Sequence, residues 1–310
     1  MGRIYHEISE LIGHTPLLEL HRMEKEYGVS AHILAKLEFY NPTCSSKDRI
    51  ALNMITAAER EGTLKPGGTI MEGTSGNTGI GIAALGASKG YKVVICMPDN
   101  MSAERRKILR AFGADIYLTP AELNMAGTKI KVDELMADAE NAVHPWQSHN
   151  IHNPEAHYLT TGPEIWEDTD GKTDILVAAC GTGGTICGTA RYLREKNPDL
   201  EVIAVEPKGS AVLSGGKAGP HKIQGIGGGD IPPTTSPELF DEIIAVSDDD
   251  AYETARKTAR TEGVMIGISA GAALWAALQV SARDVNRGKN IVVILPDSGE
   301  RYLSGDLYDY

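Results

Sequence analysis

Asn41-Pro42-Thr43-Cys44-Ser45-Ser46-Lys47-Asp48-Arg49 sets a lysine where a helix should begin, because the apolar-periodic run Ile50, Leu52, Ile55, Ala58 follows at once. A cation in a first turn opposes the helix dipole at a cost of about 0.3–1 kcal/mol, so local folding does not ask for Lys47. A lysine in a poorly solvated, electropositive spot has a lowered pKa and suits a Schiff-base amine. A lone lysine is otherwise a solvated surface group. The chemistry therefore turns on what accompanies it.

Three glycine- and hydroxyl-rich turns do. Thr74-Ser75-Gly76-Asn77-Thr78-Gly79 follows the strand-like residues 69–71 and precedes an apolar run at 80–85. A strand feeding such a turn into a helix leaves backbone N–H groups facing outwards, which suits a carboxylate or phosphate; the plainer reading makes Ser75 or Asn77 an N-cap. Cys180-Gly181-Thr182-Gly183-Gly184-Thr185 follows the apolar strand 175–179 and opens a helix, a phosphate cradle by the same physics. Read alone, it also fits a dinucleotide fingerprint, with Glu206 closing the next strand. In Gly267-Ile268-Ser269-Ala270-Gly271-Ala272 a strand at 264–268 is expected to turn into a helix through one serine, which as a bland alternative is only a cap.

The elements that must position these turns alternate. Strands are expected at 33–38, 69–71, 93–97, 116–118, 175–179, 202–205, 243–246 and 291–295, and helices at 50–61, 80–89, 103–112, 131–142, 184–195, 250–262 and 270–282. That rhythm predicts an α/β protein with parallel sheets covered on both faces. Residues 208–238, rich in Gly, Pro, Ser and Thr, read as a long functional loop. The chain has 310 residues and a net charge of −12, which argues against nucleic-acid binding. No apolar run approaches the ~20 residues of a membrane span, and the first residues are too polar for a signal peptide. Four scattered cysteines predict no disulfide framework. His149, His152 and His157 lie close in sequence beside a proline and without cysteines, so no metal is expected.

Together the four segments resemble the cysteine synthase family, the fold-type-II pyridoxal-phosphate enzymes that include O-acetylserine sulfhydrylases and cystathionine β-synthases. The resemblance runs nearly end to end. It includes Ile12-Gly13-His14-Thr15-Pro16-Leu17, Met101-Ser102-Ala103-Glu104-Arg105-Arg106, Asn153-Pro154-Glu155-Ala156-His157, Thr160-Thr161-Gly162-Pro163-Glu164-Ile165, Gln224-Gly225-Ile226-Gly227 and Pro296-Asp297-Ser298-Gly299-Glu300-Arg301-Tyr302.

The resemblance implies two open, mostly parallel sheets with pyridoxal 5'-phosphate in the interdomain cleft. Residues 35–150 would form an N-terminal domain with the lysine and carboxylate loop, and 1–34 plus 151–310 a C-terminal domain with the cradle. It makes Lys47 the Schiff-base lysine and proton carrier at Cα. Gly181, Thr182, Gly183, Gly184 and Thr185 would hold the phosphate, Asn77 the ring hydroxyl oxygen, and Ser269 the pyridine nitrogen. Thr74, Ser75, Gly76, Thr78 and Gln147 would bind the substrate carboxylate. A neutral hydroxyl at the ring nitrogen weakens the electron sink, which favours loss of a β-leaving group to an aminoacrylate over transamination. The family also implies a homodimer, and the composition a cytoplasmic enzyme.

The chain departs from the family at three places. Ser46 precedes the lysine where a small hydrophobic residue is usual, and Gly73 stands where proline is usual. Asp230, in Gly228-Gly229-Asp230-Ile231-Pro232, stands where the family has an aromatic residue. It either caps a turn or faces the incoming nucleophile, where a carboxylate would repel hydrosulfide and act as general base towards water. Synthesis of L-cysteine from O-acetyl-L-serine and sulfide is thus expected. The alternatives are an L-cysteine lyase that releases hydrogen sulfide and forms L-serine with Asp230 as base, and a cystathionine-forming β-synthase. From other classes come a cofactor-free sensor and a nicotinamide dehydrogenase, which leave Lys47 without a task.

Overall fold

The structure is a computed structural model that describes residues 4–74 and 76–309. Ten strands and ten helices follow in chain order. They begin β1 (Leu17–Glu19), α1 (His21–Tyr27), β2 (His32–Leu37), α2 (Lys47–Arg60), β3 (Thr69–Gly73), α3 (Asn77–Lys89) and β4 (Lys92–Pro98). Then come α4 (Ala103–Ala111), β5 (Asp115–Thr119), α5 (Asn124–Ala137), β6 (Ala142–Val143), α6 (His152–Leu159) and α7 (Thr161–Asp168). The chain ends with β7 (Ile175–Ala179), α8 (Gly184–Lys196), β8 (Glu201–Pro207), β9 (Glu242–Val246), α9 (Asp248–Glu262), α10 (Ile268–Ser281) and β10 (Asn290–Leu295).

Two compact units result: residues 1–12 with 47–153, and residues 13–46 with 154–310. The first carries a four-stranded parallel sheet ordered β5-β4-β3-β6. Its central strands β3 and β4 are buried on both faces, as parallel strands between helix layers must be, whereas the edge strand β5 is largely exposed. Ile70, Val93 and Ile95 pack with Ala51, Ile55 and Ile80 of α2 and α3, while Met71, Val94 and Cys96 pack with Val132 of α5.

The second unit carries six strands ordered β1-β2-β10-β7-β8-β9, all parallel except β1. Alternate residues feed two cores: Ile175, Val177, Ile203, Val205, Ile291 and Val293 on one face, and Leu176, Ala178, Val202, Ala204, Val292 and Ile294 on the other. Among the described residues no helix is long and apolar enough to cross a membrane.

Several expectations are corrected. The units do not divide at residues 34/35, because β2 pairs along its whole length with β10 and so stays in the second unit with residues 38–46. Residues 1–12 group with the first unit, whose core Ile8 and Ile12 join. Residues 264–268 form no strand; Ile266 makes a single bridge to Ser298 before α10 begins at Ile268. The helix expected at 131–142 lies at Asn124–Ala137, and Ala142–Val143 instead extends the sheet as β6. β1, α1, α6 and α7 were not expected.

Candidate active site

Lys47 is the first residue of α2 and is partly buried. The turn before it is built into the second unit. Asn41 Nδ2 donates to the Glu38 carbonyl at 2.8 Å, and its Oδ1 accepts from Gly13 N–H at 2.8 Å. Ser45 bridges Asp297, and Ser46 N–H donates to the Pro296 carbonyl at 2.9 Å. Ser46 is fully buried, as the small hydrophobic residue usual at that position would be. Within the first unit, a Cβ on Gly81 of α3 would lie 3.3 Å from the Lys47 carbonyl, a tight contact that glycine relieves where α3 passes the head of α2.

The 74–79 turn leaves β3 and enters α3 as expected, but Asn77 is the first helical residue rather than the cap. Gly76 is the N-cap, with no side-chain cap, and α3 has no acid in its first turn. Its leading N–H groups are therefore open to an anion. Thr74 is buried, its N–H bonded to the Cys96 carbonyl at 3.0 Å and its Oγ1 accepting from Gly76 N–H at 3.3 Å. Thr78 Oγ1 donates to Gln147 Oε1 at 2.6 Å, which joins two of the predicted carboxylate ligands from distant parts of the sequence. Asn77 is half-buried at the head of α3. Ser75 lies outside the described residues.

The structure adds Glu72, which sequence reading missed. It is fully buried; its Oε2 accepts from Trp146 N–H at 2.8 Å and its Oε1 from Gln147 N–H at 3.5 Å. Burial pushes its carboxyl up to about 8, against the lowering by those two N–H groups. His144 Nε2 lies 3.7 Å from Oε2, but burial pushes His144 down to about 4, so it is neutral at pH 7.

The cradle at 181–185 opens α8. Gly183, the N-cap, has φ +77°, and a Cβ there would overlap Thr235; a Cβ on Gly181 would lie 2.6 Å from the Gly225 carbonyl. The Thr182 carbonyl is turned away and accepts from Thr234 Oγ1 at 2.6 Å and Thr235 Oγ1 at 3.1 Å. Gly184 leads α8, which has no side-chain cap and no acid in its first turn. Thr185 Oγ1 meets the buried His157 Nε2 at 3.1 Å, and His157 Nδ1 meets Thr161 Oγ1 at 2.8 Å. Donor-rich, free of acids and fixed by glycines that tolerate no side chain, this turn fits a phosphate. Glu206 is not available to a ribose: it accepts from Leu213 N–H at 2.7 Å and Ser214 N–H at 3.0 Å.

Ser269, 5% exposed, is the second residue of α10, which also lacks a side-chain cap. Gly267 N–H donates to the Asp297 carbonyl at 3.0 Å. Pro296 and Asp297 thus anchor both the segment before Lys47 and the head of α10.

Asp230 does not cap its loop. It is exposed, has no hydrogen-bond or ion-pair partner among the described residues, and lines a shallow solvent-open hollow with Gly181, Glu206, Ser210 and Leu213. The three neighbouring histidines go separate ways, His149 stacking on Trp146 at 3.8 Å and His152 meeting Glu61 at 3.1 Å. Cys96, Cys180 and Cys187 are buried, their thiols pushed up to about 11, 12 and 11 by desolvation.

Two parallel-sheet units, glycine-rich helix heads built for anions and a lysine leading a helix define an α/β enzyme equipped for a phosphate-bearing cofactor. The chain belongs to the pyridoxal-phosphate dependent enzymes, whose family model matches residues 8–297. It is 49% identical over 304 residues, 98% of this chain and 97% of the relative, to a cysteine synthase of Staphylococcus aureus. Among solved structures it is similar to a cysteine synthase of Entamoeba histolytica, with 47% identity, a TM-score of 0.96 and coverage of 99% of this chain and 92% of that one. It is also similar to a hydrogen sulfide-producing enzyme of Fusobacterium nucleatum, with 44% identity, a TM-score of 0.92 and coverage of 97% and 100%.

Proposed function

We propose that this enzyme makes L-cysteine from O-acetyl-L-serine and sulfide by replacing the substituent at Cβ. The observation that carries it is 49% identity to a cysteine synthase across almost the whole length of both chains. Pyridoxal phosphate, when bound, would supply the electron sink that loss of a proton from Cα requires. Lys47 holds the cofactor aldehyde at rest and, once released, moves the Cα proton through Nζ. Gly181, Thr182, Gly183, Gly184 and Thr185 bind the phosphate through N–H and hydroxyl donors at the head of α8. Thr74, Ser75, Gly76, Thr78 and Gln147 bind the substrate carboxylate, and Asn77 orients the ring. Ser269 offers the ring nitrogen a neutral hydroxyl, which does not hold it protonated and so favours departure of the β-substituent. A homodimer in the cytoplasm completes this reading.

A second reading is favoured by Asp230, an unpartnered carboxylate on the wall of a hollow that it shares with Gly181. There it acts as base towards water, so that L-cysteine loses sulfide and L-serine forms. Assaying products from O-acetylserine plus sulfide, and from cysteine alone, separates the two. Synthesis predicts cysteine from the first mixture and little turnover of the second. Under the lyase reading, cysteine alone yields sulfide and serine, and Asp230→Asn slows the water step by roughly 10²–10⁴-fold. An unchanged product ratio in Asp230→Asn removes Asp230 from the mechanism.

A further inference from the structure

Glu72 is the one fully buried acid on β3, two residues before Thr74, and among the described residues its carboxylate accepts hydrogen bonds from the main chain of Trp146 and Gln147 alone. Gln147 in turn accepts from Thr78 Oγ1 at 2.6 Å, and its carbonyl accepts from Asn153 Nδ2 at 2.7 Å. Trp146 holds φ +49°, so this segment turns sharply where the carboxylate meets it. One residue therefore ties both halves of the 74–78 and 147 constellation, the first through the chain and the second through hydrogen bonds.

We propose that Glu72 is a positioning residue for the substrate carboxylate: its clamp on the Trp146–Gln147 main chain sets the Gln147–Thr78 pair at the head of α3. The proposal rests on the reading of that loop as the carboxylate site. Buried acids are ordinarily paired with a cation, and among the described residues only His144 comes near, at 3.7 Å from Glu72 Oε2. His144 lies on the same segment as Trp146, and Asp133, Lys129 and His149 act on it in turn. His144 is neutral at pH 7, and Lys129 lies over the Trp146 ring at 5.3 Å from its centroid. The protonated form of Glu72 thus matches the task, since an ionised one would set a second negative charge beside the incoming carboxylate. With its carboxyl pushed up to about 8, affinity for an amino-acid carboxylate falls as pH rises through that value.

The test uses cofactor-loaded protein titrated with L-serine and with L-serinamide, which lacks the carboxylate, and followed by visible absorbance and tryptophan emission. Glu72→Leu leaves two N–H groups unmatched and raises the dissociation constant for L-serine by on the order of tenfold, while that for L-serinamide and the retention of cofactor stay within about twofold. Glu72→Gln keeps the shape and one of the two acceptors but sets its NH2 against the other N–H, so it binds L-serine about fivefold more weakly at pH 7 and loses the wild-type weakening above pH 8. Equal losses for both ligands in Glu72→Leu, or no loss for either, overturn the proposal. If Glu72→Leu does not fold, Glu72→Gln decides: a wild-type pH dependence in that variant overturns it. Thr78→Val and Gln147→Ala serve as references. If neither discriminates L-serine from L-serinamide, the carboxylate-loop reading itself fails; if both do and Glu72→Leu does not, only the role of Glu72 fails.

Discussion

The heads of α3 and α8 solve the same problem with different backing. Both follow a parallel strand, both lack a side-chain cap, and neither has an acid in its first turn. At α8 the turn is locked by sterics, with Gly183 in the left-handed region against Thr235 and the Thr182 carbonyl held by two threonines. Behind it stands a hydrogen-bonded chain, Thr185 to His157 to Thr161. At α3 the far wall is held by one hydroxyl–amide bond between Thr78 and Gln147, and what stands behind is a titratable carboxyl. A cradle locked by sterics suits an anion that stays; a lightly tied one backed by a titratable carboxyl suits an anion that comes and goes.

That contrast can be broken at either head. Gly183→Val combines positive-φ strain with overlap at Thr235, about 2–4 kcal/mol together, and should weaken cofactor retention by roughly a hundredfold or more. Dialysis followed by visible absorbance measures it; a fully yellow variant would show that the turn is not a tight cradle. Gly79→Val brings a Cβ within 2.8 Å of Thr74 Cγ2. That overpacking of about 1–3 kcal/mol should raise the KM for the amino acid by roughly tenfold while cofactor stays bound. Thr78→Val removes one hydrogen bond of net worth about 1 kcal/mol and should raise the same KM about fivefold, with kcat little changed.

The smallest effect is on stability against pH. Glu72 is raised from 4.5 to about 8, so between those values the folded state binds the extra proton and stability falls with rising pH. His144 is lowered from 6.5 to about 4, so within that window the unfolded state binds the extra proton and stability rises with pH. The two slopes oppose up to about pH 6.5, and above it only Glu72 acts. The thermal midpoint should decline from pH 6.5 to 8 in the wild type, and more shallowly in Glu72→Gln.

The same contrast governs how much was legible in the sequence. The head of α2 at Lys47 and the turns at 74–79 and 181–185 announce themselves, because glycines and hydroxyls between an apolar strand and an apolar-periodic run have few other uses. The backing groups do not. Glu72 in Thr69–Gly73 reads as an ordinary polar position of a strand, and only the return of the chain at Trp146 buries it. His157 reads as one of three neighbouring histidines until α8 is packed beside it. The unit boundary was misplaced because the pairing of β2 with β10 joins residues more than 250 positions apart, a contact no local pattern encodes. Asp230 was visible as a departure, but its freedom from any capping bond was not.

The central claim is that Lys47 carries the cofactor, and borohydride reduction of the loaded enzyme followed by peptide mass spectrometry tests it most directly. Reduction fixes whichever lysine is joined to the aldehyde. The pyridoxyl group should appear on the peptide containing Lys47, and Lys47→Ala should yield folded protein with no such label. A label on another lysine, or an unchanged label in Lys47→Ala, would contradict the account.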